Sequence, residues 1–284
     1  MGVVQPVIVL GMHRSGTGLM TQMLERSGVF MGEEQEVNHE AIFFLKLNEW
    51  MFWHLNTTWD EPRNAGFLDE VVAENLAQAL EIKLGGDERI KYLGQSKTPL
   101  YKNLISLDFP WGWKDPRNVW TASIWLRLFP EAKVINIHRH PVDVAASLRY
   151  REIKYAEEVK EAIAKIGLPE FLKRGYRFQV SGRVKLLQEG FNLWEQYVSQ
   201  ALSLEQAFPN NFLTVSYEAL LDYPEETMSK IDAHLGIQGA VQRKASDTGL
   251  IKTKRRFAFL DNPELSEFHQ TILMNPLIKK LGYT

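Results

Sequence analysis

Val7-Ile8-Val9-Leu10-Gly11-Met12-His13-Arg14-Ser15-Gly16-Thr17-Gly18-Leu19 is the stretch whose reading decides the fold. It opens on a short apolar run rich in β-branched residues, the pattern of a strand buried on both faces. We draw that strand over Val3 to Leu10, with Pro6 tolerable near its start. Small residues and one cation follow. From Gly16 to Ser27 the side chains Leu19, Met20, Met23 and Leu24 recur on one helical face, and Gly28 marks the stop. A buried strand that turns through glycines into a helix predicts an α/β fold with parallel pairing, because a strand-to-helix crossover brings the chain back in the same direction.

The rest of the chain repeats that alternation. Helical patterns run over Glu40 to Leu55, Leu68 to Leu84 and Val119 to Phe129, and Lys133 to His138 and Phe212 to Ser216 read as further strands. Pro141 to Arg151 and Pro224 to Leu235 are helices opened by a proline in the first turn, and Arg183 to Phe208 reads as one long helix. No Gly/Ser/Pro linker separates halves, so residues 1–284 are expected to form a single domain with a mostly parallel central sheet flanked by helices. The 284 residues, 45% hydrophobic and 24% charged, have ordinary globular composition. With 33 Lys plus Arg against 35 Asp plus Glu, the net charge of −2 excludes a strongly basic nucleic-acid binder. The absence of cysteine excludes a disulfide framework, a thiolate metal site and a cysteine nucleophile. Apolar runs are too short for a signal peptide or a membrane span, so the chain reads as soluble and cytoplasmic.

Two segments carry chemistry. In Gly11 to Leu19, backbone N–H groups freed by small residues can wrap an oxyanion at the positive end of the following helix. An NTPase loop would place Lys and then Ser or Thr after the last glycine, whereas here Leu19 follows Gly18 and the cation, Arg14, comes earlier. In Val134 to Ser147 a strand ends on Arg139, turns through Pro141 and enters a helix that carries Ser147. A fork-shaped guanidinium and a hydroxyl so placed can grip one phosphate from two sides.

The Arg14-Ser15-Gly16-Thr17 core resembles the 5′-phosphosulfate loop of sulfotransferases that use 3′-phosphoadenosine-5′-phosphosulfate (PAPS), and Arg139 to Ser147 matches that family's arginine-to-serine offset. Further likeness lies in Lys114-Asp115-Pro116-Arg117, similar to a segment of bacterial-type members. It continues in Val215-Ser216-Tyr217-Glu218, Pro224-Glu225-Glu226 and Leu235-Gly236-Ile237. The resemblance implies a P-loop-NTPase-like sulfotransferase fold and sulfuryl transfer from PAPS to an acceptor hydroxyl or amine by in-line displacement. It implies adenosine 3′,5′-bisphosphate as product and no metal. It places Arg14, Ser15, Gly16, Thr17 and Gly18 at the phosphosulfate, Arg139 and Ser147 at the 3′-phosphate, and Tyr217 near adenine. The donor carries about −4 if its monoester is about −2, and the late cluster Lys252-Thr253-Lys254-Arg255-Arg256 offers further cations, of which Arg255 and Arg256 are chosen.

The chain also departs from the family. Gly18 stands where many relatives have Thr or Ser, Arg14 where cytosolic members have Lys, and Lys114-Asp115-Pro116 where those members carry a Lys-Thr-His segment with the catalytic histidine. Arg14 and Lys114 are assigned to the transition state, and Glu40 is favoured as general base ahead of Glu34, His39 and Asp115. Trp50, Phe52, Trp53 and Trp59 either line an acceptor pocket or pack a helix on the core. The acceptor, whether small molecule, carbohydrate or peptide, and the oligomeric state are not legible. Two other readings share the loop: a small-molecule kinase using ATP-Mg²⁺, and a nucleotide-binding module without chemistry.

Overall fold

The computed structural model describes residues 2–237, 251 and 253–283. The chain forms two compact units, residues 1–138 with 197–256, and residues 139–196 with 257–284.

The first unit holds the sheet. Strands β1 (Val7–Leu10), β2 (Gly112–Lys114), β3 (Lys133–His138) and β4 (Phe212–Ser216) are all parallel, in the order β2-β1-β3-β4. β1 is thus flanked by β2 on one side and β3 on the other, so the loop leaving it lies where the chain order reverses, the usual place for a ligand in an open parallel sheet. The sheet is the α/β arrangement expected, and β3 and β4 have the expected bounds. The first strand starts at Val7 and not Val3, after Pro6, which has no N–H to give a ladder. β2 escaped the sequence reading because three residues between prolines carry no period.

The helices of this unit are α1 (Thr17–Arg26), α2 (Ile42–His54), α3 (Glu70–Leu84), α4 (Ile90–Lys97) and α5 (Asn118–Leu128). The second unit opens with α6 (Pro141–Ile166) and α7 (Leu168–Lys173); α8 (Leu187–Ala207) starts there and ends in the first unit. The first unit continues with α9 (Tyr217–Asp222) and α10 (Pro224–Leu235), and the second closes with α11 (Pro263–Ile272) and α12 (Pro276–Lys280). α6 runs well past Arg151, since residues 152–166 are mostly good helix formers and the first breaker is Gly167, at φ 78°. The helix expected from Arg183 begins only at Leu187, after a 3-10 turn over Arg183–Lys185 and an extended Leu186.

One face of β1, β3 and β4 buries Val7, Val9, Ile135, Ile137 and Val215 against Met20, Leu24, Leu220 and Ile231. On β2, Trp113 stacks on Phe44 of α2, with ring centroids 4.0 Å apart and planes 4° off parallel. Asn48 of α2 is fully buried behind this stack. Its amide nitrogen donates to Asp115 Oδ2 (3.0 Å) and Asn118 Oδ1 (2.8 Å), and its oxygen accepts from Thr121 Oγ1 (2.9 Å) and Trp125 Nε1 (3.0 Å). Asn118 in turn donates to the Val9 carbonyl at 3.0 Å, so the network ties α2 and α5 to β1. The amide fills its whole bonding capacity. Asn48→Ala leaves several buried partners unsatisfied at about 1–3 kcal/mol each, so urea unfolding is expected to show a loss of about 3 kcal/mol, with Asn48→Leu no better.

Candidate active site

The loop between β1 and α1 is shaped by three close approaches. A Cβ at Gly11 would fall 2.2 Å from the Ile137 carbonyl oxygen, and one at Gly16, whose φ is 96°, would fall 2.2 Å from the Tyr217 ring. Arg14 also has positive φ, 70°, and the Ser15 N–H closes the turn on the Met12 carbonyl at 3.1 Å. Gly16 caps α1 with no side-chain hydrogen bond, so the first N–H groups of the helix are available to an anion. Ser15 is fully buried and its hydroxyl has no hydrogen-bond partner. A buried donor without a partner, beside an uncapped helix end, fits an oxyanion.

Lys114 ends β2, paired in register with Val9, and is only 1% exposed. Its ammonium donates to the Asn38 carbonyl at 2.5 Å and forms an ion pair with the buried Glu40 carboxylate. Burial holds the Lys114 pKa below the ordinary lysine range, and the Glu40 charge opposes that effect. The Asn38 carbonyl has a second neighbour, Gly18, where an added Cβ would lie 3.2 Å from it. The helix entrance, Lys114 and Glu40 therefore meet around one carbonyl, and the glycine at position 18 leaves the 36–40 turn room to lie against the helix.

The other base candidates fare differently. Asp115 is fully buried and accepts from Asn48, from the Arg117 N–H at 2.9 Å and from the Arg117 guanidinium at 3.1 Å. Glu34 is exposed, and the His39 Nδ1 lies 3.3 Å from Gln35 Oε1. Thr17 is buried at the first position of α1, and its carbonyl accepts from Thr21 Oγ1 at 3.0 Å. Tyr217 is buried at the start of α9, its ring backing Gly16. Arg256 is exposed and pairs with Asp222, Arg255 is exposed in the 3-10 turn Thr253–Arg255, and Lys252 lies outside the described residues.

In the second unit, Arg139 is buried with Asp143, Nη2 to Oδ2 3.1 Å, and the other Asp143 oxygen accepts the Phe259 N–H at 3.0 Å. Burial pushes the Asp143 carboxyl up, against the opposing pull of Arg139. Ser147 stands one turn beyond Asp143 on α6 and is half-buried. Asp143 was missed in the sequence, although its i+4 spacing from Arg139 and to Ser147 was there to be seen.

The aromatic set divides. Phe52 is core, Trp50 lies under the Lys83 ammonium at 4.8 Å, Trp53 is exposed, and the Trp59 ring meets His13 of the loop edge-on at 4.8 Å. Sequence reasoning did not single out His13 within the loop or Asn38 beside it, since both make their contacts with residues distant in the chain.

Residues 6–240 match the profile of the sulfotransferase family. The chain belongs to that family. Among solved structures this sulfotransferase is similar to one from Alicyclobacillus acidocaldarius, at 16% identity and a TM-score of 0.47 over 95% of this chain and 92% of that one. It is also similar to the sulfotransferase domain of the Synechococcus PCC 7002 olefin synthase, at 18% identity and 0.42 over 94% and 88%. A third is the sulfotransferase domain from the curacin biosynthetic pathway, at 14% and 0.46 over 90% and 81%. No curated protein matches the chain. Membership makes it a transferase of sulfuryl groups in general terms, and neither the kinase nor the non-catalytic reading finds support. Among the described residues no helix is long and apolar enough to cross a membrane, and no group of three or more His, Cys, Asp or Glu could hold a metal ion.

A substitution at Gly18 is expected to separate activity from stability in this sulfotransferase. Gly18→Thr adds a side chain to a helical position, which by itself raises helix propensity by a few tenths of a kcal/mol, but pushes on the Asn38 carbonyl. Turnover is expected to fall about tenfold or more, since small displacements near the chemistry are costly, with Tm little changed. Unaltered turnover in the folded variant would remove the role given to this contact.

Proposed function

We propose that this sulfotransferase moves a sulfuryl group from PAPS to an acceptor hydroxyl or amine, residues 1–284 acting as one sulfotransferase domain and adenosine 3′,5′-bisphosphate leaving. The observation that carries the reading is the buried Lys114–Glu40 pair at the end of β2, joined to the entrance of α1 through the Asn38 carbonyl. The donor, when bound, supplies an activated sulfuryl group with a phosphate leaving group. The chain's own residues supply the rest. The Ser15 hydroxyl and the N–H groups at the start of α1, from Thr17 and Gly18 behind the Gly16 cap, offer donors at the helix entrance, and Arg14 adds a positive charge. Glu40 accepts the proton of the acceptor as the new S–O or S–N bond forms. Lys114 sets a positive charge against the negative charge that grows on the leaving oxygen, an interaction stronger in the transition state than before it. Where Lys114 gives its own proton to the leaving oxygen, the amine left behind can take up the proton that Glu40 received from the acceptor, so the pair ends the step as it began.

Arg139 and Ser147 are assigned to the 3′-phosphate and Tyr217 to adenine on the strength of the family resemblance, with Arg255 and Arg256 as further cations. No metal enters the assignment, no nucleic-acid partner is assigned, and the cytoplasm is the proposed location.

Adenosine 3′,5′-bisphosphate is expected to bind with a chelator present. Arg139→Ala should weaken it more than Ser147→Ala, by about 1.5–3 kcal/mol for the charged contact. Calorimetry decides, and unchanged binding to a folded Arg139→Ala variant removes that assignment.

The pair itself is tested by kinetics at saturating donor. Glu40→Gln keeps a polar partner for Lys114 and is expected to lower kcat by about 10²–10⁴ with donor affinity nearly intact; Lys114→Ala should lower kcat by about 10²–10³. Because burial lowers the Lys114 pKa, raising the pH removes its proton sooner than from an exposed lysine. The alkaline limb of kcat should therefore fall below the ordinary lysine range and move up in Lys114→Arg. Should Glu40→Gln stay fully active while Glu34→Gln fails, Glu34 replaces Glu40.

A further inference from the structure

We propose that the groove between the end of α2 and the start of α3 is the acceptor subsite and that it takes a neutral, hydroxyl-rich sugar chain, an inference that rests on the sulfotransferase reading above. The groove measures 750 Å³, within the roughly 300–1,000 Å³ of small-molecule sites. Two of its lining side chains are aromatic and strongly exposed, Trp53 at 75% and Phe67 at 83%. Asn56, Asn64, Glu61 and Arg63 line it with them. One exposed aromatic side chain would need no explanation. Two of them on a groove that also presents amides, a carboxylate and a guanidinium match the face-and-edge chemistry of a pyranose ring, whose CH face lies on an aromatic ring while its hydroxyls meet amide donors and acceptors.

Charge narrows the class. Arg63 Nε donates to Glu61 Oε1 at 2.6 Å, so the lining cation and anion answer each other and an anionic ligand finds no net attraction. An apolar alcohol could cover the aromatic rings, but it would also cover the amides and the ion pair without replacing their water, which is unfavourable. The walls are held in place before any ligand arrives. Thr57 Oγ1 donates to the Glu61 carbonyl at 2.6 Å, and Asn64 Nδ2 donates to the Asn56 carbonyl at 2.8 Å. Such preorganisation reduces the entropy lost on binding.

The segment is tied to the phosphate loop. Trp59 follows the groove residue Thr58, its ring meets the His13 ring at 4.8 Å, and its carbonyl accepts from the Tyr197 hydroxyl at 2.7 Å. Along this segment the groove is one residue and one ring contact removed from the loop. A chain of several sugars is gripped there, away from the reacting centre, while one of its hydroxyls reaches it.

Saturation-transfer NMR on the full chain tests this with a panel of neutral α- and β-linked tetrasaccharides, a sulfated tetrasaccharide and octanol. At least one neutral tetrasaccharide is expected to bind. Trp53→Ala or Phe67→Ala, both at exposed positions, should weaken it tenfold or more, with circular dichroism unchanged and adenosine 3′,5′-bisphosphate affinity as before. The proposal is overturned if no neutral tetrasaccharide binds, if binding survives both substitutions, or if only octanol or the sulfated sugar binds. Failure of the PAPS reading shows up separately, as no binding of adenosine 3′,5′-bisphosphate, and leaves the sugar measurement readable.

Discussion

An ammonium with almost no contact with water is the constraint around which the site is organised. Lys114 is 1% exposed, and a charge so placed survives only where partners replace its hydration. Glu40 and the Asn38 carbonyl are those partners. Both belong to the turn that precedes α2, so that turn must close over the end of β2. Residue 18, beneath the turn, has no side chain, and a Cβ there would lie 3.2 Å from the Asn38 carbonyl oxygen, a tight contact that the turn would have to relieve by a few tenths of an ångström. The polar network behind Lys114 then fixes the same elements from the other side. Asp115, the next residue, is locked by Asn48 and Arg117, so β2 ends in one orientation and the lysine is delivered to one place.

The sequence was most legible where function is local. The strand, the glycine-rich turn and the first helix are contiguous, so their order could be read directly, and proline at the first helical turn fixed the starts of α6 and α10. Arg14, Ser15, Gly16 and Thr17 could be picked out as candidates for the same reason. What escaped is what depends on distance along the chain. Lys114 and Glu40 were each picked out, one for the leaving group and one for the base, yet nothing in the sequence says that residues 74 positions apart are in contact. The bonds of Asn48 to residues about seventy positions away are no more legible in the sequence. Gly18 stood out only by comparison with the family it resembles; the carbonyl packed against it is a tertiary fact.

The aromatic run from Trp50 to Trp59 shows the same limit in another form. Composition offered two uses for these rings, core packing or a pocket, as though one answer had to serve for all. In the structure Phe52 is core, Trp59 braces the loop through His13, and Trp53 stands in water at the edge of a groove. Helical spacing alone could not separate them, because the apolar face of α2 is wide enough to take several rings, and burial depends on what packs against it.

Charge balance explains why a slightly acidic chain can be expected to hold a strongly anionic donor. Two cations assigned to it come with a carboxylate already in place: Glu40 on Lys114, Asp143 on Arg139. In each case the carboxylate keeps the cation in one orientation and spares the fold a buried, unmatched charge. An arriving phosphate therefore competes with a resident anion, and its electrostatic gain is smaller than a count of cations suggests. The α1 entrance works differently, since it has no side-chain cap and the buried Ser15 hydroxyl beside it has no hydrogen-bond partner. At the phosphosulfate end affinity should then come mainly from the helix entrance, while Lys114, held ready and partly neutralised, is freed to respond as charge develops in the reaction.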